Sequence, residues 1–308
     1  DLGAVLKGGT SLRKLRAGNA GRFSTDLDFA TPDVETGELL LDTIDGAEHF
    51  DVRFTLADRD ALRAKLAVDT PLGQPRITAR IEISPRPLWL PTESTTPVKL
   101  PVHAGYEFAL PPIPAPGLEE SLSEKLAAWR RRRKIRDLYD LDLFGRGTLN
   151  EPLIRRLLVL KVWRDVVDDG LGTRPFDPDE IVADIDIRRL PHQDIGLFTQ
   201  PVEPPEWLAR VRARYRFVTT LDDVEKSVIA CNPGDRYFVS RLVEEMQAGR
   251  YITGLARGRS YLFRVVPFHR IRNLGRHGGS TIWVTAYRSR GLPSYIPLIK
   301  LVPRTRGL

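Results

Sequence analysis

Sulfur is nearly absent from this chain: its 308 residues hold one cysteine, Cys231, and one methionine. A lone cysteine excludes an internal disulfide framework and points to a reducing compartment. Histidine is scarce too. The five (His49, His103, His192, His269 and His277) are scattered, and none stands at zinc-ligand spacing with a cysteine. No run of eighteen apolar residues occurs, so no transmembrane helix and no membrane role are expected. The first residues lack the basic start and apolar core of a signal peptide. The chain opens at Asp1 without a methionine, directly before a strand of functional weight, so further residues are expected to precede it.

Acidic residues are missing from one region. Residues 251–308 contain ten arginines, Lys300 and no Asp or Glu, so that segment carries +11 and leaves −4 to the rest of a chain of net charge +7. Such asymmetry is the footprint of a polyanion-binding surface. Over the whole chain the composition is that of a soluble globular protein, 42% hydrophobic and 28% charged, with length enough for two domains.

What the chain does have is concentrated near its start: Lys7-Gly8-Gly9-Thr10-Ser11, then Arg22-Phe23-Ser24-Thr25-Asp26-Leu27-Asp28-Phe29. The first stretch reads as a strand end at Val5 and Leu6, a glycine turn and a helix start. Gly8 and Gly9 allow a sharp turn whose N–H groups can approach a phosphate closely. Thr10 and Ser11 add hydroxyl donors at a helix N-terminus. Asp26 and Asp28 are two apart, so on a strand both point to one face while Leu27 and Phe29 point to the core. Adjacent carboxylates repel one another, and a divalent cation removes that penalty. Mg²⁺ favours one or two carboxylates plus phosphate oxygens. The plainer reading is a Gly-Gly turn followed by a surface Asp pair.

These motifs resemble the polymerase-beta-type nucleotidyltransferases, whose signature is Gly-Gly-Ser/Thr followed by Asp-x-Asp. In their fuller form they look like the AbiEii/MenT branch, toxins of type IV-like toxin–antitoxin systems. A second block is similar to that branch: Glu124-Lys125-Leu126-Ala127-Ala128, then Lys134-Ile135-Arg136-Asp137-Leu138-Tyr139-Asp140-Leu141. The resemblance covers the first half well, the helical middle loosely and the last sixty or so residues not at all. Fifteen residues separate Thr10 from Asp26, and the excess over the family spacing falls at Ala17-Gly18-Asn19-Ala20-Gly21.

The resemblance implies an NTP substrate, two Mg²⁺ ions (Mn²⁺ being an alternative), and transfer of a nucleoside monophosphate with release of pyrophosphate. The metal set is Asp26, Asp28 and a third acid on a neighbouring strand, for which Glu82 qualifies. Its alternative reading is a solvated Glu on a half-exposed strand. Gly8, Gly9 and Thr10 would hold the β/γ-phosphates. Lys125 would bind the triphosphate as a point charge, unless it is an ordinary exposed helix lysine. Asp137 is the other motif acid, able to orient Lys125 or the acceptor hydroxyl. On one unbroken helix, positions 125 and 137 lie about 120° apart, so they converge only if the chain bends between them. Arg136 can pair with Asp140 or with a phosphate. The MenT branch implies the 3′ end of tRNA as acceptor, a block on translation, a cognate antitoxin and the bacterial cytoplasm. Two alternatives stay open: transfer to a protein hydroxyl, and a nucleotide- or RNA-binding regulator without turnover.

The fold class expected is α+β. A polymerase-beta-like nucleotidyltransferase core with a mixed sheet spans residues 1–116. A helical domain spans 117–250 and brings Lys125 and Asp137 to the site, and a basic segment with strands spans 251–308. Period-two alternation predicts strands over 50–56 and 77–83, the second putting Thr78, Arg80 and Glu82 on one face. A short helix is predicted over 58–65. The proline-rich stretch 97–116 reads as an extended linker with a short edge strand over 106–110. Helices follow over 119–133, 138–144, 151–167 (capped by Asn150), from Pro178 (capped by Asp177), and over 206–214, 221–231 and 235–247. Strands are predicted over 261–266 and 281–287.

Arg130-Arg131-Arg132-Arg133-Lys134 covers every azimuth of a helix. Arg130, Arg131, Arg133 and Lys134, with Arg270, Arg272 and Arg276, are candidate RNA contacts, and a solvated face is the alternative. Tyr261, His277, Trp283 and Tyr287 stand among the C-terminal arginines, a pattern suited to stacking on unpaired bases.

Overall fold

The computed structural model describes residues 2–247, apart from 75, 106–108, 173–174, 191–197 and 199, and beyond them the backbone of five strands between 251 and 301. A six-stranded sheet forms the first lobe. Its strands are β1 (Val5–Lys7), β2 (Asp26–Ala30), β3 (Glu48–His49), β4 (Val52–Asp60), β5 (Arg63–Asp69) and β6 (Ile77–Ser84), in the order β1-β2-β6-β5-β4-β3. β2 runs parallel to β6 and every other pairing is antiparallel, which makes the sheet mixed.

Helix α1 (Gly8–Leu12) follows β1 at once, and α2 (Val34–Ile44) follows β2. The Asp33 side chain caps α2 by accepting a hydrogen bond from Thr36 N. α2 places Leu41 on one face of the sheet against Ala64, Leu66, Ile81 and Ile83, with Leu27, Phe29, Phe54 and Leu56 around them. By the two-residue period of a strand, Asp26, Asp28, Arg80, Glu82, Arg63 and Lys65 occupy the opposite face.

Residues 58–65 are not the short helix expected. They are the end of β4, a turn and the start of β5, with a register shift between Ala57 and Asp60 and left-handed backbone at Asp58 and Ala61. The alternation of Ala64, Leu66 and Val68 with Arg63, Lys65 and Ala67 is a strand pattern, and burial of its apolar half against α2 overrides helix propensity.

The proline-rich stretch holds a 3-10 turn (Pro101–Gly105) and β8 (Ile113–Ala115), which pairs with β7 (Glu93–Thr95). Most of the edge strand expected over 106–110 falls outside the described residues. The extra spacing before Asp26 is taken up by a π-helical turn (Arg13–Ala17) and a 3-10 turn (Gly18–Ala20).

Helices make the second lobe: α3 (Leu118–Arg132), α4 (Ile135–Gly145), α5 (Glu151–Val167), α6 (Pro204–Arg214), α7 (Asp223–Val228) and α8 (Arg236–Gln247). α5 is its axle. Leu153, Ile154, Leu157, Leu158, Leu160, Val162, Trp163 and Val166 bury nearly its whole circumference, as an all-round apolar helix must. Asn150 caps it through Leu153 N. Asp222 and Glu225 form a reciprocal capping box on α7, which is shorter than the helix expected over 221–231. The helix expected from Pro178 is a single 3-10 turn. In the last segment β9 (Tyr251–Ala256) pairs with β10 (Arg259–Arg264), and β11 (Arg276–His277), β12 (Ser280–Tyr287) and β13 (Ile296–Leu301) form a second antiparallel group.

Candidate functional site

Strand register assembles the site. Lys7 on β1 lies opposite Asp28 on β2, Asp28 opposite Glu82 on β6, and Glu82 opposite Arg63 on β5. That is one row of charge across four strands, each about 4.8 Å from the next. A second row runs two residues away: Asp26, then Arg80, then Lys65. Asp26 and Asp28 thus share a face with Glu82.

Gly8 is required by this packing. Its φ is +72°, and a Cβ there would sit 2.0 Å from Asp28 Oδ2. Only glycine lets the chain turn against that carboxylate. A Cβ on Gly9 would meet Arg22 Nη2 at 2.5 Å. The Thr10 hydroxyl differs from expectation: it is buried and donates to the Asp26 backbone carbonyl at 2.5 Å. Its proton fastens α1 to β2, which leaves it none to give a phosphate. α1 is five residues long before the π-turn, too short for a strong helix dipole at its start.

The helical lobe brings the cations. α3 ends at Arg133, whose backbone is left-handed with φ +46°, and α4 starts again at Ile135. This break is the bend on which convergence of Lys125 and Asp137 depended. Lys125 Nζ lies 3.3 Å from Asp137 Oδ1 and 2.9 Å from Asp140 Oδ2. Lys125 is buried rather than an exposed helix lysine. Asp137 is wholly buried and also takes two hydrogen bonds from Arg132, at 2.6 and 2.7 Å. Its two oxygens are thus engaged by Lys125 and Arg132. Burial alone would raise the Asp137 pKa, but Lys125 and the Arg132 hydrogen bonds outweigh it and hold the carboxyl well below its usual range.

Asp140 does not pair with Arg136. It accepts a bidentate pair from Arg22 (3.1 and 2.9 Å), and both side chains are almost fully buried. Arg136 instead approaches Asp26 Oδ2 at 3.6 Å. The chain Arg22–Asp140–Lys125–Asp137–Arg132 therefore runs unbroken from the sheet lobe into the helical one.

Lys7, Gly8, Asp28, Glu82, Glu124 and Lys125 line a cavity of about 550 Å³ between the lobes, with Arg63, Arg132, Lys161 and Arg164 at its other walls. Its size is that of a small-ligand site. Burial raises the Asp28 pKa; Lys7 and Lys125 pull it down, Asp26 and Glu82 push it up, and the net direction is upward. Glu124 is held at about 2, since Lys7, Lys161 and Arg164 overcome its desolvation.

The acids suit a divalent cation. Asp26 Oδ1 is buried and accepts no hydrogen bond. Its nearest cation on that side is Arg80 Nε at 3.7 Å. Among the described residues no three His, Cys, Asp or Glu side chains converge into a ready-made metal cage. The arrangement is an open one, of the kind that phosphate oxygens complete around Mg²⁺.

The arginine run is structural where it is described. Arg130 bonds Glu180 and lies over Phe176, Arg131 pairs with Asp165, Arg132 holds Asp137, and Arg133 donates to the Glu180 carbonyl and stacks on Trp129. Arg130, Arg131 and Arg133, expected as RNA contacts, thus each have a partner within the chain. Lys134 is half-buried at the start of α4. The side chains of Arg270, Arg272 and Arg276 lie outside the described residues. Sequence reasoning missed Lys7, Arg22, Arg63 and Lys161. Arg63 was hidden by the helix expected over 58–65, although its period-two alternation with Ala64 and Leu66 carried the signal.

Comparison with known proteins agrees with this geometry. The AbiEii family model, described as the nucleotidyl transferase AbiEii toxin of type IV toxin–antitoxin systems, matches residues 1–224. Among solved structures, MenT4, the nucleotidyltransferase toxin Rv2826c from Mycobacterium tuberculosis H37Rv, is 44% identical with a TM-score of 0.75, over 80% of this chain and 86% of that one. JHP933 from Helicobacter pylori is 21% identical with a TM-score of 0.41, over 80% of this chain and 91% of that one, a likeness too loose to build on. Among curated proteins none matches the chain.

Proposed function

This chain belongs to the AbiEii family of nucleotidyltransferase toxins, and from that premise we propose that it transfers a nucleoside monophosphate from an NTP to the 3′ end of tRNA, with Mg²⁺ and release of pyrophosphate. The observation that carries this reading is the single row Lys7, Asp28, Glu82 and Arg63 facing a cavity in which Lys125 is fixed. Carboxylates beside buried cations suit a substrate that arrives with its own metal and its own negative charge.

Asp26, Asp28 and Glu82 would hold the ions, which supply charge neutralisation at the entering and leaving oxygens. The rest falls to the protein. Lys125 has three N–H donors, gives one to Asp137 and lies against Asp140 as an ion pair, so donor capacity remains for a triphosphate oxygen. Asp137 and Arg132 prevent it from swinging. Lys7 and Arg63 flank the acids and balance charge on the phosphates. Gly8 keeps the Asp28 carboxylate free of a side-chain clash. No helix among the described residues is long and apolar enough to cross a membrane. A toxin of this family implies a cognate antitoxin, and tRNA as the acceptor places the reaction in the bacterial cytoplasm.

The test is incubation with total tRNA, Mg²⁺ and each α-labelled NTP in turn, beside Asp26→Ala. Labelled tRNA with one NTP, lost in the variant, is the expected result. A labelled protein band without labelled RNA would replace the acceptor by a protein hydroxyl. No label in either would leave a nucleotide-binding protein.

A further inference from the structure

The open face of the sheet borders two cavities. The first row of charge lines the larger one. The second row, Asp26, Arg80 and Lys65, lines a separate cavity of about 400 Å³ floored by β5 and β6. Glu82 and Arg63 line both, Asp28 only the first, and Asp26 only the second. The carboxylates thus straddle a junction with a chamber on each side.

The second chamber is built differently from the first. Three cations line it: Arg63, Lys65 and Arg80. All are exposed. The Arg63 and Lys65 side chains make no hydrogen bond or ion pair with another described residue, and Arg80 reaches Asp26 only at 3.7 Å. Of its three acids, Asp26 and Glu82 belong to the proposed ion-binding set, which leaves Asp58 against three cations. Its remaining lining is Thr25, Thr78, Ala64, Ala79 and Ile81, with no aromatic ring. Free cations without a stacking platform suit a phosphate backbone rather than base edges.

We infer that this second cavity receives the 3′-terminal nucleotides of the acceptor RNA as a single strand, with Lys65 and Arg80 on its phosphates and its 3′ hydroxyl at the Asp26–Glu82 end. The inference rests on the nucleotidyl-transfer reading above. In-line displacement requires the entering and leaving oxygens on opposite sides of the α-phosphorus. The RNA 3′ oxygen forms the new bond to that phosphorus, the bond between it and the bridging α,β-oxygen breaks, pyrophosphate departs, and the hydroxyl proton passes to solvent. With triphosphate on the Lys125 side of the junction, the acceptor must enter from the other, and the second cavity lies there. Recognition at Lys65 and Arg80 is then tolerant of sequence, and any choice among RNAs is made elsewhere.

The test pairs the double variant Lys65→Ala/Arg80→Ala and the reversal Lys65→Glu with Lys226→Ala on α7, outside both cavities. Direct binding of a labelled single-stranded RNA with a free 3′ hydroxyl is measured across a salt series, beside steady-state constants for RNA and NTP. In the double variant the RNA Kd and KM should rise about tenfold or more with the NTP KM unchanged. The slope of log K against log salt should fall by about 1.4, the value for two phosphate contacts on a single strand. Lys65→Glu should act in the same direction and Lys226→Ala should not. RNA affinity unchanged in both cavity variants, or an NTP KM that rises in step, would overturn the inference. Should the wild type label protein and not RNA, the acceptor reading falls; the surface is still decided by the direct binding curves, and a wild type that does not bind RNA overturns it.

Discussion

Among the described residues, the buried apolar cluster under α2 in the sheet lobe has five members, while the cluster of the helical lobe has thirty-two. The chemistry is divided the other way. The thin lobe carries the three carboxylates; the thick one carries Lys125, Arg132, Lys161 and their buried partners. The smaller cluster is ringed by half-buried side chains such as Leu27, Phe29, Phe54 and Leu56, and the lobe that carries the acids is also tied to its neighbour. The tie is visible in Arg22 on Asp140 and in the Tyr139 hydroxyl on the Ala20 carbonyl at 2.5 Å. Cations on one lobe and acids on the other give a site that exists only when the lobes are joined.

The sharpest way to break this arrangement is Arg22→Ala. It leaves Asp140 buried with Lys125 alone and cuts the main tie between the lobes. A loss of about 3–5 kcal/mol is expected, the usual cost of stranding one partner of a buried pair. Urea unfolding would read it, with the helical signal outlasting the sheet. Lys125→Met comes next. It leaves Asp137 and Asp140 without the cation between them, and kcat/KM should fall roughly 10²–10³-fold, as for loss of one preorganised donor.

Leu41→Ala against Leu157→Ala compares the cores directly, since both side chains are fully buried. Each should cost about 2–5 kcal/mol. Leu41→Ala should weaken nucleotide binding first, because Leu41 packs directly behind the strands that carry the acids; equal effects on binding would deny the asymmetry.

Glu124→Gln is subtler. A carboxyl lowered from 4.5 to about 2 contributes stability that is present above pH 4.5 and is lost as pH falls toward 2. The variant should be less stable than the wild type at neutral pH, with the gap closing in that acid window. The smallest effect belongs to Arg76→Ala, which breaks an exposed pair with Asp69 on the sheet. Such pairs contribute about 0–1 kcal/mol, so no change in activity is expected.

How much of this was legible in the sequence depends on what fixed each part. The Asp26–Asp28 face, the strand bearing Glu82 and helix α5 with its Asn150 cap follow from periodicity and capping, which are local. The break at Arg133 has no glycine or proline to announce it. It is held by Trp129 one turn back and by the Glu180 carbonyl, 47 residues away, and so it was visible only as a condition for Lys125 and Asp137 to meet. The partners of the arginine run were not legible because composition shows charge but not pairing: Glu180, Asp165 and Asp137 meet it from other elements. The two glycines were read as a phosphate turn; their closest demands are Asp28 and Arg22, which only the folded chain brings near.

The central claim is that one lobe supplies the metal-binding acids and the other the metal-independent grip on the triphosphate. Equilibrium NTP binding by wild type, Asp28→Asn and Lys125→Met, each with Mg²⁺ and with chelator, tests it most directly. Asp28→Asn should lose the gain that Mg²⁺ gives while keeping the wild-type affinity in chelator, and Lys125→Met should be weaker in both. Asp28→Asn that responds to Mg²⁺ as the wild type does, or Lys125→Met that binds unchanged in chelator, would contradict it.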